Sequence, residues 1–236
     1  MECLLFRPMI DPDYIANIAA YQCTKTVITP DDFDRLMSLD KDDEKGFKPL
    51  RNALKSGHYS VLEHANFTFY VYDISRVTLA QLTRHRVGVA YSVSSQRYTD
   101  IIDTGVVIPT TISDNEELHM KFLDLIQDSK ELYKEMVEAG VPKEDARYSA
   151  VEGTTTSLLL TMNARELLHF FELRCCNRAQ WEIRELADQM LSCVKQAAPI
   201  IFENAGPSCV TEGVCHELKS CGTPRTEDEW TSMTSQ

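Results

Sequence analysis

The sequence lacks an apolar run of about 18 residues, the minimum for a membrane span. Its opening stretch, MECLLFRPMIDPDY, turns acidic too early to read as a signal peptide. It has no G-x-G-x-x-G and no P-loop pattern, so a dinucleotide is not expected to be held in the Rossmann way. H-E-x-x-H and C-x-x-C are missing too, which argues against zinc-hydrolase and zinc-finger sites. Positive charge is scarce: 24 Lys and Arg face 36 Asp and Glu, for a net charge of −12. Nucleic-acid and anionic-membrane binders need a positive field, so neither partner is expected. A small anion in a local basic pocket stays compatible with this balance. Eight cysteines are too few for a secreted disulfide scaffold of 236 residues. A cytoplasmic protein with reduced thiols is expected.

Apolar residues make up 43% of the chain, enough for an ordinary core without staples. Asp11 reads as the N-cap of a helix over 11–21, and Thr29-Pro30 opens a second. A third is expected from Pro49 to Gly57. Residues 66–74, NFTFYVYDI, alternate with Phe67, Phe69 and Val71 on one side, which predicts a strand. Ser75 then caps a helix through about Arg84, placing Gln81 and Arg84 on one face. Val106 to Ile108 reads as a short strand stopped by Pro109. Ser113-x-x-Glu116 has the form of a capping box, followed by helical spacing up to Gly140. Pro142 opens a short helix carrying Arg147. Residues 155–162, TTSLLLTM, predict a buried strand. Asn163 then caps one long helix expected to run to about Ala198. The elements follow no regular βαβ rhythm. The expected fold class is α/β of the α+β type, a central mostly antiparallel sheet flanked by helices. One domain over 1–236 is expected, with a loose tail from about 208.

Within an acidic chain the arginines cluster. Arg84-His85-Arg86 follows the strand and helix, and Arg97 comes in Ser94-Ser95-Gln96-Arg97-Tyr98. Arg147 sits in a helix, and Arg165, Arg174, Arg178 and Arg184 lie on the long late helix. Cations suit a solvated helix end. Arginine also suits planar, bidentate contact with phosphate. The serine-rich segment 92–95 reads as either a plain loop or an anion nest. The histidines of Gly57-His58-Tyr59-Ser60-Val61-Leu62-Glu63-His64 default to structural roles. Five residues separate Cys209 from Cys215 and Cys215 from Cys221, without the tight pairing of a zinc site, and no metal is expected. Cys175 and Cys176 follow Arg174, which either lowers a thiol pKa or leaves two packed thiols.

Together these segments resemble the flavin-dependent thymidylate synthases. The signature of that family is Arg-His-Arg, seven or eight residues, then Ser-x-Arg-Tyr. Here it reads Arg84-His85-Arg86, eight residues, then Ser95-Gln96-Arg97-Tyr98. Residues 58–69, HYSVLEHANFTF, resemble the family's H-x-S-x-x-E-H-x-x-F-x-F. TMNARELLHFFELR at 161–174 and AQWEIR at 179–184 resemble two further segments in the same order.

The resemblance implies methylation of dUMP to dTMP, with methylenetetrahydrofolate as carbon donor, reduced FAD as hydride source and NADPH as its reductant. It implies a homotetramer with sites shared between subunits. Gln81, Arg84, Ser94, Ser95, Gln96, Arg97 and Arg147 fall at or beside dUMP-holding positions. Arg174 matches the arginine that stabilises the ionised pyrimidine. His64, Asn66, Arg84, His85, Arg86, Asn163, Arg165 and His169 match FAD-contacting positions. Such a site needs no protein nucleophile, so Cys175 and Cys176 fall back to packing or the flavin wall.

Departures from the family pattern leave two alternatives. Tyr91-Ser92-Val93-Ser94 replaces an Asn-Glu-rich stretch, and Ala150-Val151-Glu152 replaces Leu-Pro-Asn. Ala20-Tyr21-Gln22-Cys23 lacks a usual arginine. The alternatives are C5 modification of another pyrimidine nucleotide and a non-catalytic nucleotide-binding oligomer.

Overall fold

Two strands that end in helix caps organise the chain, seen in a computed structural model that describes residues 1–6 and 10–226. The sheet has four strands: β1 (Glu2–Leu5), β2 (Asn66–Ser75), β3 (Val89–Val93) and β4 (Thr155–Asn163). They are antiparallel, in the order β1-β2-β4-β3. The α/β class with a flanked, mostly antiparallel sheet is therefore present. By its contacts the chain forms two compact units. Unit 1 holds residues 1–2, 71–84 and 91–159; unit 2 holds 3–70, 85–90 and 160 onward. The expectation for the chain's final residues, after 226, lies outside the described residues.

Unit 2 contains α1 (Pro12–Gln22), α2 (Pro30–Met37) and α3 (Lys48–Lys55). Their starts follow the capping chemistry: Asp11 accepts from the Asp13 N–H, and Thr29 and Asp32 form a reciprocal capping box. A 3-10 turn over Tyr59–His64 leads into β2. Phe67 and Phe69 of β2 point inward, as their alternation requires. Phe67 meets Phe202 edge-on at 5.4 Å, and Phe202 meets Phe171 at 5.9 Å. Asp13 is fully buried, yet its carboxylate accepts the Ile200 and Ile201 N–H groups at 3.2 and 3.0 Å. Those bonds tie α1 to the segment after the last long helix.

The long late helix expected over 163–198 is two helices, α8 (Ala164–Arg174) and α9 (Trp181–Ala197). Cys175-Cys176-Asn177 has low helix propensity. Gln180 then caps a new start by accepting from the Glu182 and Ile183 N–H groups. Asn177 further fixes the break by donating to the Thr223 carbonyl and accepting from Arg225. Arg174 and Arg178 therefore do not share a helix face. Arg225 is buried and forms a bidentate pair with Asp188 at 2.9 and 2.7 Å. Lys219, Thr223 and Arg225, which follow the short α10 (Ser208–Thr211), are thus tied to Arg178, Asn177 and Asp188.

Unit 1 carries α4 (Arg76–Leu82), α5 (Thr110–Ser113), α6 (Glu116–Glu138) and α7 (Lys143–Ala146). Ser75 caps α4 by accepting from the Thr78 N–H at 3.0 Å. That helix ends at Leu82, so Arg84 lies beyond it and shares no helix face with Gln81. The capping box at Ser113 does not form. Ser113 ends α5, and Asn115, an equally good cap, accepts from the Leu118 N–H to start α6. Val106 makes only an isolated bridge to Thr154. Strands β1 and β3 were not expected. In β3 Ala90 puts an apolar residue on the exposed face beside Ser92, which blurs the alternation of Val89, Tyr91 and Val93. The small core of unit 1 packs Ile101, Tyr133 and Ala146 with Met136, Val137, Val141 and Ala150. Tyr133 donates to Asp100 at 3.0 Å, and Lys143 pairs with the same carboxylate at 2.9 Å.

Replacing Phe202 by Ala removes the ring shared by Phe67 and Phe171. The expected loss is about 3–5 kcal/mol of stability, read as a lower urea midpoint with an unchanged slope.

Candidate active site

Unit 1 gathers a basic pocket of about 290 Å³. Its walls include Arg76, Gln96, Arg147, Tyr148, Ala150 and Glu152. Arg76 stands at the first turn of α4, just after the Ser75 cap. Arg147 follows α7 and donates through Nε to the Glu144 carbonyl at 2.9 Å. Gln96 comes from the segment after β3 and is buried. Two buried donors here, Arg76 Nη1 and Gln96 Nε2, lack a partner among the described residues. Burial, with Arg147 adding to it, holds the Arg76 guanidinium below its ordinary pKa. An acceptor-rich anion satisfies such donors and relieves the repulsion between two arginines.

Of the residues expected to hold a nucleotide, Gln96 and Arg147 line this pocket. Gln81, Arg84, Ser94, Ser95 and Arg97 do not line it. Ser94 donates its backbone N–H to the Ser157 carbonyl at 2.9 Å. Ser95 accepts through Oγ from the Arg97 N–H. Arg97 pairs with Glu144 at 2.6 Å, so Glu144 anchors both Arg97 and Arg147. Arg76 was not anticipated. Its position after a capping serine looks like any helix start, and only its burial sets it apart.

Unit 2 holds a larger cavity of about 710 Å³, within the range of cofactor sites. Asn163, Arg165 and His169 line it, three of the residues expected at a flavin. Tyr59, Glu63, Gly88, Glu166, Gly206, Ser208 and Thr211 join them. Asn163 accepts the Glu166 N–H at 2.9 Å, which starts α8 at the cavity wall. Arg165 pairs with Glu63 at 2.6 Å, an exposed contact worth little by itself. Gly88 is required where it stands. Its φ is +69°, and a Cβ would come within 2.1 Å of the Asn163 amide. His64, Asn66, His85 and Arg86 do not line this cavity. Asn66 donates to the His64 carbonyl at 3.3 Å, and Arg86 is exposed. The contribution of residues 204–212 was not anticipated, because a polar stretch with glycine reads as a loop.

His85 is buried between two α8 residues. Its Nδ1 lies 2.8 Å from Glu166 Oε1, and Arg174 Nε donates to its Nε2 at 3.1 Å. Phe170 packs edge-on against the ring at 5.0 Å. Burial pulls the His85 pKa down, and the Glu166 hydrogen bond opposes that pull. Cys175 is also buried, which pushes its thiol well above the ordinary value. That matches a packing role and not a nucleophile.

A histidine held neutral in the fold binds protons less readily than in the unfolded chain. Stability therefore falls as pH drops through the ordinary histidine range, about 6.5, toward the lower folded value. His85→Gln is expected to flatten this slope in thermal melts between about pH 5 and 7.5. Equal slopes in the two proteins would contradict the buried neutral ring.

A family model described as thymidylate synthase complementing protein matches residues 5–200. The flavin-dependent thymidylate synthase of Geobacter sulfurreducens is 43% identical over 220 residues, 92% of this chain and 91% of that protein. The protein of the same name from Clostridium tetani is 36% identical over 228 residues, 90% of this chain and 89% of the relative. That from Pyrococcus abyssi is 40% identical over 206 residues, 83% of each. With its arginine signature and both pockets inside the matched span or just beyond it, the chain belongs to the thymidylate synthase complementing protein family.

Proposed function

We propose that this protein is a flavin-dependent thymidylate synthase, which methylates dUMP to dTMP with methylenetetrahydrofolate as carbon donor and NADPH as final reductant. Membership of the family supports the reaction class. The observation that carries the substrate assignment is the pocket of unit 1. Arg76 Nη1 and Gln96 Nε2 are buried donors awaiting an acceptor, and Arg147 stands beside them. A nucleotide phosphate has the charge and the oxygens to fill both roles. Gln81, Arg84, Ser94, Ser95 and Arg97 complete the nucleotide-holding set in this reading.

The unit 2 cavity suits FAD in size and in its donors Asn163, Arg165 and His169. His64, Asn66, Arg84, His85 and Arg86 are the remaining flavin-contacting residues in this reading. Reduced FAD, when bound, supplies the hydride. Arg174 acts on the substrate: a guanidinium beside the uracil favours loss of the N3 proton, and the ionised ring carries more electron density at C5. No protein nucleophile is needed, in keeping with the buried thiol of Cys175.

The active form in this reading is a homotetramer with sites shared between subunits. Leu118, Leu125 and Leu132 support self-association, since they recur every seven residues along α6 at 50%, 52% and 45% exposure. No described helix is long and apolar enough to cross a membrane, and every cysteine is a free thiol. A cytoplasmic setting with reduced thiols belongs to this reading.

The direct test is product analysis after mixing the protein with dUMP, methylenetetrahydrofolate, FAD and NADPH; dTMP is expected. Arg76→Ala and Arg147→Ala should each raise the dUMP KM by about 10- to 100-fold, the worth of a charge-assisted hydrogen bond. Arg174→Ala should lower kcat by about 10²–10³-fold with less change in KM. Full turnover in that variant would remove Arg174 from the mechanism. A second reading, action on another pyrimidine nucleotide, rests on Ala150 and Glu152. These walls of the pocket depart from the family's usual Leu-Pro-Asn. Turnover of UMP, dCMP or CMP in place of dUMP would select it.

A further inference from the structure

We infer that Glu166 is a positioning residue, acting through the His85 ring to hold the guanidinium of Arg174. The inference rests on the reading that Arg174 faces the pyrimidine. The geometry begins with a constraint of chemistry. Arginine Nε–H donates and never accepts. Because it points at His85 Nε2 at 3.1 Å, that nitrogen must carry a lone pair. The ring proton therefore sits on Nδ1, where it is donated to Glu166 Oε1 at 2.8 Å. One carboxylate thus selects the tautomer, and the tautomer supplies the acceptor that orients Arg174.

Several contacts keep the relay rigid. Glu166 is the third residue of α8, and its backbone N–H is fixed to Asn163 Oδ1 at 2.9 Å. Phe170 stands against the His85 ring and limits its tilt. All members of the relay on α8 lie within one run, Glu166 to Arg174, so helix geometry sets their separation. Charged and titratable groups acting on His85 include Glu166, Arg174 and His169. A proton added at Nε2 would set two donors against each other and break the Arg174 contact. Glu166 favours the protonated ring, while burial, Arg174 and His169 oppose it. The relay therefore works only with a neutral imidazole, which burial maintains.

The test compares Glu166→Ala with Glu166→Gln in the flavin-loaded protein. The alanine variant should lose about 10- to 100-fold in kcat, the usual effect of removing an outer partner of a functional group. Its dUMP KM should change by less than about threefold, because the phosphate contacts remain. The glutamine variant keeps an acceptor for the Nδ1 proton and should recover most of the rate. Losing the carboxylate charge should also move the acidic limb of its kcat profile to lower pH. Equal turnover in wild type and Glu166→Ala would overturn the inference. So would equal losses in both variants without a shifted limb. A readout without turnover separates this inference from the reading it rests on. The ¹⁵N shifts of the His85 ring in ligand-free protein should report an Nδ1–H tautomer in wild type and Glu166→Gln. In Glu166→Ala they should report a mixture. An Nε2–H tautomer in wild type would overturn the relay even if dTMP is made. Absence of dTMP beside an intact Nδ1–H tautomer would count against the proposed reaction alone.

Discussion

Helix capping at the ends of two neighbouring strands is the constraint on which the rest depends. β2 ends at Ser75, which accepts the Thr78 N–H and launches α4. β4 ends at Asn163, which accepts the Glu166 N–H and launches α8. Each cap satisfies an amide that the helix itself leaves without a partner. Each also fixes the phase of its helix from the first residue. Arg76 is thereby set at the start of α4, and Arg165, Glu166, His169 and Arg174 are set along α8. A strand that ran one residue further would rotate every one of these side chains by about 100°.

The two pockets use this placement differently. In unit 1 the structure tolerates buried donors at Arg76 and Gln96 that no described residue satisfies. Leaving such a donor unpaired costs about 1–3 kcal/mol. In the proposed function a nucleotide phosphate would offset that cost. In unit 2 the polar groups around His85 are already paired, and the ring is neutral and fixed. The first arrangement favours capture of a charged ligand. In the proposed reaction the second would present an arginine whose direction is set in advance, and pre-set donors need no reorganisation.

The capped starts of α1, α2, α4 and α8 were legible because Asp, Thr, Ser and Asn declare themselves at fixed offsets. The alternation of Phe67, Phe69 and Val71 identified β2 for the same kind of reason. The break between α8 and α9 was not legible. Its fixing contacts come from Thr223 and Arg225, far along the chain, and spacing says nothing about them. Strand β1 is a short edge strand of four residues, too brief for a pattern. At the candidate sites the family resemblance, carried by several segments, pointed to Gln96, Arg147, Asn163, Arg165 and His169, which do line pockets. Arg76 and Glu166 escaped notice because a helix-opening arginine and a capping-box glutamate are ordinary residues until burial and partners are known. The Ala150-Val151-Glu152 departure gained a meaning from the fold, since it forms a wall of the basic pocket.

The most direct measurement is an anaerobic one. The flavin-loaded protein is reduced and then mixed rapidly with dUMP and methylenetetrahydrofolate, together and singly, while flavin absorbance is followed and product is quenched for mass analysis. The account predicts flavin oxidation only when both are present, with one dTMP formed for each flavin oxidised. Reduced flavin that stays reduced with both ligands bound, or is oxidised without dTMP, would contradict it.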